Sequence, residues 1–113
     1  MGFFSTLFTR PDIDMGVNQY KETAGASLLD VRTKEEFALG HIPGALSVPL
    51  DRVTTAPLLP ENKESPLFIY CQSGARSARA AGLLKYMGYK RVTDLGGIIN
   101  YSGNLSKGAS DNK

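Results

Sequence analysis

The chain has 113 residues, 42% hydrophobic and 21% charged, enough for one packed domain and too few for two. Its 13 basic and 11 acidic residues leave a net charge of +2, and no Lys/Arg run alternates with aromatics, so no nucleic-acid surface is expected. A single cysteine, Cys71, excludes an internal disulfide, and with a single histidine, His41, no zinc site of ordinary ligand count can be built.

Residues 1–10 form an apolar N-terminal extension without a basic leader, cut by Ser5 and Thr6 and closed by Arg10-Pro11. Neither a secretory signal nor a membrane span is expected from it. Gly2 and Thr6 fit the myristoylation spacing, a pattern short enough to arise by chance. The phenylalanines there are expected to pack on the domain or to form a small contact patch.

The domain is assigned to residues 11–101, and the polar residues 102–113 to a disordered tail. Residues 27–31 are a compact apolar run, followed by Thr33 and Glu36 at capping-box spacing. The helix they open is short, because Gly40 stops it. The turn His41-Ile42-Pro43-Gly44-Ala45 leads to a brief strand at 46–48, and 52–59 allow one loose helical turn. Residues 66–70 are the clearest strand, consecutively apolar from Leu67 to Tyr70, as expected when both faces are covered. A helix follows over 77–87, with Ala80, Leu83, Leu84 and Met87 on one face and Gly88 as a left-handed cap. Residues 92–95 make the last strand and Gly96-Gly97 a tight turn. Strands alternating with helices imply an α/β domain, its central sheet mainly parallel with helices on both faces.

Cys71 opens the loop between that clearest strand and the helix after it. Ligands collect beyond the carboxyl ends of strands in open α/β sheets, which puts Cys71 at the mouth of the domain. The loop feeds a helix N-terminus whose free N–H groups attract anions, and Gly74 permits the turn that points them inward. Arg76 adds a permanent charge. These influences favour thiolate over thiol, so Cys71 is read as a low-pKa nucleophile.

Cys71, Gly74 and Arg76 fill the pattern C-x-x-G-x-R, and Ser77 matches the Ser/Thr that often follows; on these residues the chain resembles the rhodanese family of sulfurtransferases. The resemblance spans most of the domain. Leu28-Leu29-Asp30-Val31-Arg32 is similar to the family's strand end, Glu36-Phe37 with Gly40 through Ala45 to its central signature, and Leu95-Gly96-Gly97 to its final glycine pair. It departs where many relatives carry a tryptophan: this chain has none and places Asn100-Tyr101 there.

The resemblance implies a rhodanese-like fold and a thiosulfate sulfurtransferase in which Cys71 carries a persulfide. Arg76 with Gln72, Ser73, Gly74, Ala75 and Ser77 would bind substrate, the first by charge and Gln72, Ser73 and Ala75 mainly through their backbone N–H groups. Asp30 and Arg32 are candidates to face the pocket or to brace the loop as a local ion pair. His41 is assigned a structural role, Tyr70 to the core and Arg79 to solvent. No cofactor and no metal are expected. The partners implied are an anionic sulfur donor, a thiol or cyanide acceptor and a sulfur-relay protein, in the cytoplasm. Two alternatives stay open: a sulfur carrier without turnover, and a phosphatase or arsenate reductase of related fold, whose loops are one residue longer between Cys and Arg.

Overall fold

The computed structural model describes residues 12–110. The N-terminal extension with its phenylalanines and Gly2/Thr6, and residues 111–113 of the tail, lie outside the described residues.

Strand β3 (Leu67–Cys71), buried at every position, is central. It pairs with β1 (Ser27–Asp30) on one side and β4 (Val92–Gly97) on the other; β2 (Leu46–Ser47) pairs with β1 at the edge. All four strands are parallel. Strand side chains alternate between faces, and β3 fills two cores in turn. Leu67, Ile69 and Cys71 join Ala80, Ala81 and Leu84 of helix α3 (Ala75–Tyr86) in one apolar cluster. Phe68 and Tyr70 join a second cluster with Ile13 and Val17 of α1 (Ile13–Glu22) and Phe37 of α2 (Lys34–Leu39). Helices therefore cover both faces, as the apolar run of β3 requires.

The local signals around α2 are realised in full. Thr33 Oγ1 accepts from the Glu36 N–H at 3.1 Å, and Glu36 Oε1 accepts from the Thr33 N–H at 2.9 Å, a closed capping box. Helix α1 is an addition to the sequence reading. Its N-cap is Asp12, whose side chain accepts from the Asp14 N–H at 2.9 Å. Gly16 lets it lie close on the sheet, since a Cβ there would run into the Leu95 side chain. The loose turn expected at 52–59 is preceded by a 3₁₀ turn at Leu50–Arg52 and is present as single turns, Thr55 N–H to Arg52 O at 3.1 Å and Leu59 N–H to Ala56 O at 3.3 Å.

Two expectations are overturned. Gly96-Gly97 is not a turn but the end of β4, carried there by a bulge: Ile69 pairs with Asp94 while Tyr70 pairs with Gly96, leaving Leu95 as the extra residue. Gly96 takes a φ of 87°, open to glycine at little cost, and its N–H donates to Asp94 Oδ1 at 3.0 Å. The tail beyond residue 101 is also not loose over its described part. Ser102 donates from N and Oγ to Asp14 at 2.9 and 2.6 Å. Ser106 exchanges two main-chain bonds of 2.8 Å with His41, and the Gly108 N–H reaches Ala38 O at 2.9 Å. A polar composition signals the lack of a core of its own, but main-chain pairing with an existing domain needs none.

His41 is fully buried, its ring stacked on Phe37 at 3.7 Å between centroids and Nδ1 2.9 Å from Phe37 O. Among the described residues no helix is long and apolar enough to cross a membrane.

Gly97 lies against the loop after β3: a Cβ built there would fall 2.5 Å from Gln72 O and 2.7 Å from Ser73 Cα. Gly97→Ala is therefore expected to cost about 1–3 kcal/mol, as overpacking does, read as a lower denaturation midpoint. An unchanged midpoint would show that the loop yields freely.

Candidate active site

The loop 71–77 is shaped by three constraints of the chain. Strand β3 ends at Cys71; α3 starts at Ala75; and Gly74 between them has φ 117°, a conformation that L side chains rarely adopt. The resulting turn sets the Gly74 N–H on Cys71 Sγ at 3.0 Å, with the N–H groups of Arg76 and Ser77 near enough to favour its anion. Ser77 Oγ stands 3.5 Å from the sulfur and can turn between it and the carbonyls of Gly74 and Gly96, at 3.1 and 3.4 Å.

Two opposing influences act on the thiol. Burial, the larger single one, disfavours the charged form; the Ser77 hydroxyl and the N–H groups of Ser77, Gly74 and Arg76 together outweigh it and leave the pKa below that of an ordinary cysteine. The sequence places Cys71 at the mouth of the domain. The structure covers it instead: only 1% of the residue is exposed, and it belongs to the cluster that includes Leu29, Val31 and Val48.

The charges around the loop are already paired. Arg76 makes a two-pronged bond to Glu36, Nη1–Oε1 2.7 Å and Nη2–Oε2 3.1 Å. Those bonds, assisted by the Thr33 N–H and opposed by burial, hold the Glu36 carboxyl at about 2. A carboxyl depressed in the fold keeps its pairing above its unfolded value and loses it as pH falls toward the folded one. The pair thus persists at neutral pH and opens only in strong acid. Arg32 Nη2 bonds Asp30 Oδ2 and Gly40 O, both at 2.7 Å, and Nη1 reaches Gln72 Oε1 at 3.2 Å. Asp30 and Arg32 form the local brace, with Arg32 also lining clefts on two sides of the loop. Gln72, expected to act through its N–H, is tied by its side chain to Arg32 and by its carbonyl to the Ile99 N–H at 3.2 Å. Ser73 and Ala75 have exposed side chains; Ser73 lines a recess with Gly97 and Asn100. Tyr70 is core, and its hydroxyl accepts from the Ile42 N–H at 3.1 Å. Arg79 is exposed and lines the same cleft as Arg76.

What sequence reasoning missed is Glu36 as the partner of Arg76, 40 residues away. Its capping-box position explains the residue so fully that no second role is signalled. Among the described residues no cluster of three or more His, Cys, Asp or Glu side chains is placed to hold a metal ion.

Chemically, the site gives a buried sulfur hydrogen-bond donors that favour its thiolate form. Ser77→Ala removes the hydroxyl contact, the largest of the favourable ones. Its alkylation-rate midpoint should lie above that of the parent protein, and the parent's below the roughly 8.5 of free cysteine. A parent midpoint at or above that value would contradict the amide arrangement.

The profile of the Rhodanese-like domain matches residues 16–103. A sulfurtransferase of Allochromatium vinosum is 41% identical over 86 residues, covering 72% of this chain and 76% of that protein. A putative sulfur carrier protein of Bacillus subtilis is 40% identical over 88 residues, 75% of this chain and 46% of that protein. Other curated relatives run longer still, and the chain spans 24–26% of their length. Among solved structures, a rhodanese-like domain protein from Staphylococcus aureus superposes with TM-score 0.74 at 31% identity, covering 88% of this chain and 98% of that one.

Proposed function

The chain belongs to the rhodanese-like domain family of sulfurtransferases and sulfur carriers, and from that premise we propose that it moves sulfane sulfur from thiosulfate or a similar donor to a thiophilic acceptor through a persulfide on Cys71. The observation that carries this reading is the convergence of the Gly74, Arg76 and Ser77 amides on Cys71 Sγ. They favour an anion at the sulfur in the resting, attacking and loaded states alike.

In the first step the Cys71 thiolate attacks the outer sulfur of thiosulfate. A sulfur–sulfur bond forms on Cys71, the donor's own sulfur–sulfur bond breaks, and sulfite leaves with the electron pair. In the second step a thiolate or cyanide attacks the outer sulfur of the persulfide and Cys71 departs as thiolate. Covalent catalysis of this kind divides one hard displacement into two. Gly74, Ser77 and the Arg76 N–H act on the reacting sulfur, while the Arg76 guanidinium holds donor oxygens once it exchanges Glu36 for them. A thiol that must stay reducible between turnovers suits the cytoplasm.

A carrier role, in which a partner protein loads Cys71 and another unloads it, is favoured by two observations: the near-complete cover over the sulfur and the neutralisation of Arg76 by Glu36. Both disfavour turnover with a free dianion. A relay partner would supply the donor sulfur already positioned.

Incubation with thiosulfate is expected to raise the intact mass by one sulfur atom, reversed by cyanide and absent in Cys71→Ala; a mass that never changes rejects persulfide formation from this donor. Glu36→Gln keeps a capping-box side chain while freeing Arg76. It should raise kcat/KM for thiosulfate about tenfold, the order of one charge-assisted contact, and a fall would show that Glu36 orients Arg76 rather than occupying it.

A further inference from the structure

At the sheet edge the short strand β2 pairs with β1 alone, and Pro49, which has no N–H to donate, stands just past its end. Residues 47–49 and 55–58 together line a recess of about 220 Å³. That volume equals about seven waters at roughly 30 Å³ each, room for a small molecule but not for a peptide. None of its walls belongs to the loop 71–77.

Three features of the recess go together. Val48, Pro49, Ala56, Pro57 and Leu58 give it an apolar wall, and Leu58 is 53% exposed despite its apolar side chain. Lys34 and Arg52 line it as well, and neither makes an ion pair with any described residue. Two cations on one recess without a counter-charge favour an anion there. Ser47 lines the recess too, yet its Oγ is closed to solvent and has no hydrogen-bond partner, which is rare for a buried hydroxyl. Lys34, Pro49 and Arg52 also line a neighbouring recess, where Glu35 and Asp51 join them. Those two carboxylates bring the local charge close to balance, which suits a monoanion better than a dianion.

We propose that the recess beside β2 binds a small aliphatic carboxylate, its head group between Lys34 and Arg52 and its chain against Pro57 and Leu58. Few polar groups at one end of an apolar hollow are the usual make-up of a small-molecule site. The flat guanidinium of Arg52 matches the two oxygens of a carboxylate, and the Lys34 ammonium adds a point charge. A turn about χ1 brings the Ser47 hydroxyl toward the same head group and gives it the partner it lacks. The site shares no residue with the sulfur chemistry of Cys71, so either reading can fail without the other.

The test titrates the isotope-labelled full chain with hexanoate, 1-hexanol or inorganic phosphate and follows the amide resonances of Ser47, Val48, Thr55 and Leu58. Hexanoate should shift them saturably. 1-Hexanol, with the same chain and no charge, should bind about tenfold more weakly or worse, the scale of a lost charge-assisted contact, and phosphate, with no apolar body, should also bind more weakly. Lys34→Gln and Arg52→Gln should each weaken hexanoate about fivefold, the scale of one exposed ion pair, and Arg52→Lys should recover part of that loss. Shifts that do not saturate, 1-hexanol or phosphate matching hexanoate, or wild-type affinity in both glutamine variants would each overturn the site.

Discussion

The structure turns on the hydrogen bonds between one sulfur atom and the amides that curl over it. Sγ of Cys71 sits at the end of a strand whose other side chains are apolar and buried, where an unsolvated charge would be costly. What favours a thiolate there is the set of contacts around it, the Ser77 hydroxyl and the N–H groups of Ser77, Gly74 and Arg76, while the Arg76 guanidinium is paired with Glu36. The loop must therefore deliver its N–H groups within a short span, from Cys71 to Ser77. Gly74 supplies the turn and Gly97, on the neighbouring strand, supplies the room for Gln72 and Ser73 to lie flat against β4. Gly74 also gives its own N–H to the sulfur, while Gly97 acts only through the room it leaves.

Around that core feature the charged residues serve as bracing. Asp30 and Arg32 lock the end of β1 to Gly40 and to Gln72, joining the turn before β2 to the loop after β3. Glu36 fastens α2 to the start of α3 through Arg76 while its same Oε1 closes the capping box with Thr33. The loop thus has fixed supports on two sides, and its amides need little reorganisation to meet a charge.

How much of this was legible in the sequence depended on whether the signal was local. The capping box of Thr33 and Glu36, the stop at Gly40, the buried strand before Cys71 and the left-handed Gly74 each announce themselves within a few residues. Helix α1 went unread because its apolar positions, Ile13, Val17 and Tyr20, lie among polar neighbours beside the apolar extension. The glycine pair at 96–97 reads as a turn because glycine's tolerance of strained angles is the same signal in a turn and in a bulge. Long-range pairings had no signal at all: Arg76 with Glu36, Ser106 with His41, Ser102 with Asp14. The cover over Cys71 belongs to that class too, since a loop pattern gives the direction of amides but not the packing above them.

The burial of the single cysteine sets two properties against each other that are usually traded. An accessible thiolate is quick with its partners and equally quick with peroxide or stray disulfides; a hidden one is safe and idle. Here the Cys71 sulfur has amide and hydroxyl contacts that favour its anion, yet it is all but closed to bulk solvent, so the cover that keeps oxidants from it keeps partners from it as well.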